Sequence, residues 1–236
     1  HALISARFSH MQCAQWEYGI KEIALSVTVK KVVPNTTKQA LTSENADEWA
    51  KAIYEEFQSM DTPLGKEKVK CMDLVDKSEL PPKATMLSST MDFKFKEAIG
   101  DCPARARARL CIRGDQQEVK KDDNTFAPVA RMTTARVLFS HAVQEDLEAE
   151  VSDIGTAFPN ATLPEGMEVY MAVPSEASLY HKGDLSNKYF RINRALYGLQ
   201  ASPRASNQTL HEWMISRGFK QSLVDPCLYS RSTSGN

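Results

Sequence analysis

Residues 104–114 read ARARARLCIRG, an almost perfect alternation of arginine with small or apolar side chains. Successive side chains of a β-strand point to opposite faces, so the arginines would share one face and the small and apolar residues the other. Alternate residues of a strand lie about 6.6–7 Å apart, a spacing at which several guanidinium groups can engage neighbouring phosphates. The alternation therefore predicts a strand, with a solvated strand face as the other reading of its charges. The candidate phosphate contacts are Arg105, Arg107, Arg109 and Arg113.

A second strand is predicted just upstream. Met91, Phe93 and Phe95 alternate with charged residues, and Gly100, Asp101 and Pro103 have the composition of a turn. The two segments together predict a pair of strands joined by a hairpin-like connection.

Three amphipathic helices are predicted along the chain. Asn45 is a candidate N-cap with Glu48 as its capping-box partner, ahead of apolar residues at helical spacing up to Met60. Thr133 or Thr134 can cap a second helix. A third starts at Ser202-Pro203 and stops at Gly218. The apolar stripes comprise Trp49, Ile53 and Phe57 in the first helix and Ala135, Leu138, Phe139, Ala142 and Val143 in the second.

Further strands are predicted between these helices. Leu147, Ala149 and Val151 alternate toward Asp153, residues 167–173 are mostly apolar, and Leu228-Tyr229 begins another strand. Because helices and strands do not follow a βαβ rhythm, the fold class predicted is α+β.

Asp153 lies in the run VSDIGTAF, residues 151–158. A carboxylate at the end of a strand can hold Mg²⁺ beside a phosphate, but a lone aspartate there is more often a turn former or a helix cap. Catalysis by two metals usually needs more than one carboxylate, and Glu148 and Glu150 would point to the opposite strand face.

The other candidates also have an ordinary structural reading. Phe158 suits a core, Tyr197 and Gly198 suit a packed turn, and Arg204 suits a surface. Near a helix N-terminus, however, Arg204 could assist phosphate binding beside free backbone N–H groups.

Composition and charge exclude several classes. The chain has 236 residues, 42% hydrophobic and 25% charged, and its net charge of −1 gives no argument for nucleic acid as a whole-molecule partner. No run of 18 apolar residues and no signal-peptide pattern occur, so we expect an intracellular protein, cytoplasmic or nuclear, without a membrane partner. The five cysteines are scattered, which favours reduced thiols and no zinc site.

Several segments together resemble the reverse transcriptase domain of Ty1/copia-type retrotransposons. They occur in the family's order at compatible spacing, and they cover the chain from about residue 45 to 230. The segments are ARLCIRG (108–114), TFAPVARMT (125–133), SDIGTAF (152–158), EVYM (168–171), RALYGL (194–199), SPRA (202–205), GFK (218–220) and DPCLY (225–229).

The resemblance implies the fingers and palm subdomains of a polymerase. Residues 1–40 remain unassigned, the fingers span about 41–130 and part of the palm spans about 131–236. Its palm sheet is expected to be incomplete at the C-terminus. Asp153 matches the first metal-binding aspartate of the family, and two Mg²⁺ ions are implied as cofactors. Nucleotide-binding roles are implied for Arg109 at the triphosphate, Phe158 under the sugar, where it excludes a 2′-hydroxyl, and Ile154, Tyr197 and Gly198 in the pocket.

The implied activity is RNA-directed DNA polymerisation. Its partners would be an RNA template, a DNA primer, deoxynucleoside triphosphates and the remaining regions of a Pol polyprotein. The family continues into a hairpin with a Tyr-x-Asp-Asp motif, and no such motif occurs in these 236 residues. We therefore expect a truncated domain that is inactive alone. Two other hypotheses remain open at this point: a non-catalytic nucleic-acid-binding remnant, and a transposon fragment without a function of its own.

Overall fold

The computed structural model describes residues 32–64, 68–82, 84, 86–96, 104–118 and 125–232. The described residues form two compact units. Residues 131–155 make up one unit, and the remaining described residues make up the other. The helices are α1 (Thr37–Thr42), α2 (Ala46–Asp61), α3 (Met132–Gln144) and α4 (Ser202–Ser216). The strands are β1 (Met72–Asp76), β2 (Met86–Leu87), β3 (Ser89–Lys96), β4 (Arg105–Ile112), β5 (Val169–Ala172), β6 (Lys188–Ile192), β7 (Lys220–Gln221) and β8 (Tyr229–Ser230).

Helix α2 supplies the centre of the core of the larger unit. Its buried face carries Trp49, Ile53, Phe57 and Met60, as the helical spacing predicts. Asn45 occupies the N-cap position, but its side chain makes no capping hydrogen bond. The capping box predicted there is therefore wrong in this respect, because Asn45 has φ −104° and ψ 28° instead of the extended backbone of a typical cap.

Strands β3 and β4 form the predicted antiparallel pair. Phe93 lies opposite Ala108, and Lys94 lies opposite Arg107. The apolar faces of both strands are buried under Trp49, whose ring centroid lies 5.3 Å from that of Phe93. The connection between the strands falls in 97–103, outside the described residues.

A four-stranded sheet with the order β1-β6-β5-β2 packs in the same core. β6 pairs antiparallel with both β1 and β5, whereas β2 pairs parallel with β5. The mostly apolar run 167–173 predicts β5. The sequence analysis misses β1 and β6, whose charged residues pair across the strands. Examples are Lys188 with Asp76 at 2.7 Å and Arg191 with Asp73 at 3.2 Å.

Two predictions for the smaller unit, residues 131–155, are wrong. Helix α3 has Arg131 as its N-cap, so Thr133 and Thr134 lie inside the helix and do not cap it. The strand predicted from Leu147 to Val151 does not form. A strand needs a partner for its backbone N–H and C=O groups, and within the described ranges no segment pairs with it. Instead the Leu147 amide donates back to Ala142 O at 2.8 Å, closing the end of α3.

Helix α4 has Pro203 in its first turn and Gly218 just beyond its last, as predicted. Its N-cap is Ala201, so Ser202 is already helical. The predicted strand at Leu228-Tyr229 forms as β8, which pairs with β7. The mixture of helices with small, mainly antiparallel sheets confirms the α+β class. In the described part of the chain, none of the helices combines the length and apolar character of a membrane span.

Candidate functional site

Arg109, Tyr197 and Phe158, predicted from distant parts of the sequence, lie together in the larger unit. The Arg109 guanidinium carbon is 4.8 Å from the Tyr197 ring centroid. The Phe158 ring meets Tyr197 edge to face, with centroids 5.1 Å apart and planes at 67°. A cation over an aromatic face and an edge-to-face ring pair are both attractive arrangements. The three side chains form a stack with a positive charge at one end, which we call the Arg109 stack.

The backbone of β4 holds Tyr197 in place. The Ile112 amide donates to Tyr197 O at 2.7 Å. Gly198 follows with φ +92°, and a Cβ there would lie 2.0 Å from Ile112 O. From the other side, a Cβ on Gly114 would lie 2.1 Å from Gly198 O. Such approaches are open only to glycine, so both glycines are needed to bring Tyr197 beside Arg109.

Two glutamines that the sequence analysis does not identify stabilise the turn at Tyr197 and Gly198 through hydrogen bonds. Gln200 Nε2 donates to Gly114 O at 2.6 Å, and the Gln200 amide donates to Gln117 Oε1 at 3.1 Å. Neither residue belongs to a periodic pattern, because the contact exists only when residues 114–117 and 198–200 meet in three dimensions.

Glu56 is a third missed residue. Its Oε1 accepts the Leu110 amide of β4 at 3.0 Å. Burial raises the pKa of the Glu56 carboxyl, while the Leu110 amide and the positive charges of Arg107 and Arg109 oppose that rise. A signal was present in the sequence, since Glu56 interrupts the apolar stripe of α2 at a position three residues after Ile53.

The outer face of the β3–β4 pair is strongly cationic. Lys94 lies opposite Arg107 and Lys96 lies opposite Arg105, and these four basic side chains share a face with Arg109. Within β3 and β4 the one acidic residue is Asp92, which lies 3.5 Å from Lys94. The predicted arginine face is therefore extended by two lysines from the neighbouring strand.

Arg113 and Arg204 lie outside strands β3 and β4. Arg113 forms two hydrogen bonds to the carboxylate of Asp115, at 2.8 and 2.7 Å. This pairing raises the pKa of Arg113 and lowers the pKa of Asp115. Arg204 is exposed in the first turn of α4.

Asp153 and Ile154 belong to the unit of residues 131–155, where both are exposed. They lie in a segment without helix or strand. Among the described residues, no group of three His, Cys, Asp or Glu side chains could hold a metal ion. Mg²⁺ is often bound by one or two carboxylates together with substrate phosphates. Asp153 thus offers a single carboxylate as a candidate ligand.

Comparison with known families gives the class of protein. The family described as reverse transcriptase (RNA-dependent DNA polymerase) matches residues 70–236. The chain belongs to this family, as the ordered motifs predict.

Pol polyproteins of plant transposons are among the proteins similar to this chain. The retrovirus-related Pol polyprotein from transposon TNT 1-94 of Nicotiana tabacum is 33% identical over 205 residues, which are 86% of this chain and 14% of that polyprotein. The corresponding polyprotein from transposon RE2 of Arabidopsis thaliana is 29% identical over 197 residues, 83% of this chain and 12% of the relative. The chain thus spans about one seventh of these relatives or less, and it resembles their copia-type reverse transcriptase region. No solved structure matches the chain significantly.

Proposed function

We propose that this chain is the fingers and part of the palm of the RNA-directed DNA polymerase of a copia-type retrotransposon. The fingers would span about residues 41–130 and the partial palm about 131–236. The Arg109 stack is the observation that carries this proposal. It joins a cation, an aromatic face and a second ring inside the region that matches the reverse transcriptase family.

The Arg109 stack would bind the incoming deoxynucleoside triphosphate. The guanidinium of Arg109 presents fixed donors and a permanent charge, which suit the oxygens of a triphosphate. The half-buried ring of Phe158 would lie under the sugar and exclude a 2′-hydroxyl. Tyr197 and Gly198 would complete the pocket wall. For Ile154 the nucleotide-binding role remains the one that the resemblance implies.

Asp153 would supply one ligand of a Mg²⁺ ion. When bound, such an ion neutralises charge on phosphate oxygens. The Tyr-x-Asp-Asp motif, which would bring further carboxylates, does not occur in residues 1–236. We therefore propose that these residues alone bind substrates but do not extend a primer.

The cationic face of β3 and β4 would contact the template and primer backbones. Lys94, Lys96, Arg105 and Arg107 offer four charges, and within β3 and β4 the one acidic residue is Asp92. Exposed Arg204 would add a phosphate contact, and Arg113 would do so in competition with its partner Asp115. The RNA template, DNA primer and remaining Pol regions are thus the proposed partners.

The same face supports a second candidate function, nucleic-acid binding without nucleotide selection. This second function requires the basic side chains of Lys94, Lys96, Arg105 and Arg107 but does not require the Arg109 stack. The two functions therefore differ in whether a nucleotide changes the binding of nucleic acid.

A binding experiment separates the two. A labelled RNA–DNA primer–template is titrated with the chain in the presence of Mg²⁺, with and without the deoxynucleotide that pairs with the next template base. The polymerase proposal expects the correct nucleotide to tighten binding in the unaltered chain. Arg109→Ala should abolish this tightening while leaving most of the affinity for primer–template.

The matched control is Arg191→Ala, because Arg191 pairs with Asp73 in the four-stranded sheet. This variant should behave like the unaltered chain. Binding that is equal with and without the nucleotide would favour the second candidate, and no binding under any condition would contradict both. Primer extension above background by residues 1–236 would contradict the proposed inactivity.

A further inference from the structure

Two amides of β4 that face away from β3 have their partners outside the two-stranded sheet. Amides two residues apart in a strand point in the same direction. The Ile112 amide donates to Tyr197 O at 2.7 Å, and the Leu110 amide donates to Glu56 Oε1 at 3.0 Å. One backbone carbonyl and one side-chain carboxylate thus serve as neighbouring acceptors along the same strand edge.

Arg109 lies immediately before this pair of amides, with its side chain on the cationic face. Its guanidinium stacks on Tyr197, whose position depends on the Ile112 hydrogen bond. The Arg109 Nε atom is buried and has no hydrogen-bond partner among the described residues. Its orientation therefore depends on the stack and on the register of the β4 backbone, because no hydrogen bond at Nε fixes it.

Glu56 is suited to fix that register. It projects from α2, which is anchored in the core by the fully buried side chains of Ile53 and Phe57. A side chain on a rigid, packed element holds its partner more tightly than one on a loop. Glu56 is partly buried, which limits the access of water to its hydrogen bond with Leu110.

We infer that Glu56 is a positioning residue: by accepting the Leu110 amide it holds β4 so that Arg109 stays stacked on Tyr197. The residue acts through the reach of its acceptor oxygen and not through its charge. Its charge alone would draw the cationic side chains of Arg107 and Arg109 toward α2, whereas the acceptor fixes the backbone from which they project. The consequence for nucleotide affinity rests on the proposed function; the consequence for Arg109 geometry does not.

Two mild substitutions separate reach from charge. Glu56→Gln keeps the length and an acceptor oxygen but removes the charge, whereas Glu56→Asp keeps the charge but withdraws the acceptor by one methylene group. The control is Glu55→Gln on the solvent side of α2, where Glu55 is exposed and lies 3.9 Å from Lys51.

The first measurement follows Arg109 directly. Protons near the face of an aromatic ring are shifted upfield, so the Arg109 side-chain protons report their distance from Tyr197 in an NMR spectrum of arginine-labelled chain. Arg109→Lys identifies the resonances. Glu56→Gln and Glu55→Gln should retain the upfield shift, and Glu56→Asp should lose most of it while circular dichroism still shows a folded chain.

The inference is overturned if both Glu56 variants keep the shift, if both lose it, or if only Glu56→Gln loses it. The last result would show that charge and not reach matters. A purely structural role would lower the melting temperature of Glu56→Asp and leave the Arg109 shift of its folded state unchanged.

The second measurement uses inorganic tripolyphosphate with Mg²⁺ as the probe. Glu56→Asp should weaken its binding about as much as Arg109→Ala does, and Glu56→Gln should stay within about twofold of the unaltered chain. If Arg109→Ala binds tripolyphosphate as well as the unaltered chain, the proposed nucleotide site is wrong. The NMR comparison then still decides the role of Glu56.

Discussion

Gly198 lies against the backbone of Ile112 so closely that a Cβ on residue 198 would be 2.0 Å from the Ile112 carbonyl oxygen. This approach places the Tyr197 carbonyl at the Ile112 amide and the Tyr197 ring under Arg109. The geometry of the Arg109 stack thus originates in the crossing of two backbone segments.

Gly198→Ala should push the backbone at residue 198 away from that of Ile112 and destabilise the chain. A side chain at φ +92° is strained, at a cost of about 1–2 kcal/mol, and the clash with Ile112 adds to it. We expect a loss of about 3 kcal/mol or more in the free energy of unfolding, which urea denaturation measures. Gly166→Ala is the control, because Gly166 has φ +74° and a Cβ there would have nothing within 4 Å. Equal losses in the two variants would contradict the close contact.

Trp49→Ala should be among the most damaging single changes. Trp49 is fully buried, with ring centroids 5.3 Å from Phe93 and 4.6 Å from Phe95. Truncating such a residue costs about 3–5 kcal/mol, measurable by thermal or urea unfolding. Trp213→Ala removes the same side chain from a half-exposed site and should cost less than about 1 kcal/mol. Similar costs would show that α2 does not pack on the β3–β4 pair as described.

The Asp61–Lys70 pair predicts a dependence of stability on pH. The Lys70 ammonium donates to Asp61 at 2.7 Å, and Tyr180 adds a hydrogen bond at 3.1 Å. These bonds lower the pKa of Asp61 in the folded chain. Its stabilising contribution is therefore present above the unfolded value, about 3.9, and is lost as the pH falls through the lower folded pKa.

Asp61→Asn tests this dependence. The difference in unfolding free energy between it and the unaltered chain should be constant between about pH 5 and 7 and shrink below about pH 4. Because the pair is partly exposed, the difference should stay below about 1 kcal/mol. A difference in unfolding free energy that grows toward low pH would contradict this prediction.

Cys71 should be chemically inert in the folded chain. The residue is fully buried, and burial raises the pKa of its thiol to about 11. At pH 8 only about one molecule in a thousand would carry the reactive thiolate. Iodoacetamide followed by peptide mass spectrometry should label Cys71 only after denaturation, and half-buried Cys227 earlier. Rapid labelling of Cys71 in the folded chain would show that this side chain is not buried in the core.

Local patterns predicted the elements whose periodicity is strong. Helix α2 and the strands β3 and β4 follow from single-face apolar spacing, and the cationic face follows from the arginine alternation. The segment 147–151 alternates as well, yet forms no strand, because alternation cannot supply a partner strand. β1 and β6 escaped prediction for the complementary reason: their charges are compensated by pairs formed only across the sheet.

Site residues divide in the same way. The resemblance predicts Arg109, Phe158 and Tyr197, and these three side chains lie together in the structure. Glu56 and Gln200 act through single long-range hydrogen bonds to backbone atoms, which no local spacing encodes.

The most direct test of the central claim is the equilibrium binding of a deoxynucleoside triphosphate with Mg²⁺ to residues 1–236. If the Arg109 stack is the nucleotide site, Arg109→Ala should weaken binding about tenfold or more, equivalent to about 1.4 kcal/mol. Arg191→Ala should bind like the unaltered chain. Equal affinities for the unaltered chain and Arg109→Ala would contradict the assignment of this stack as the triphosphate site.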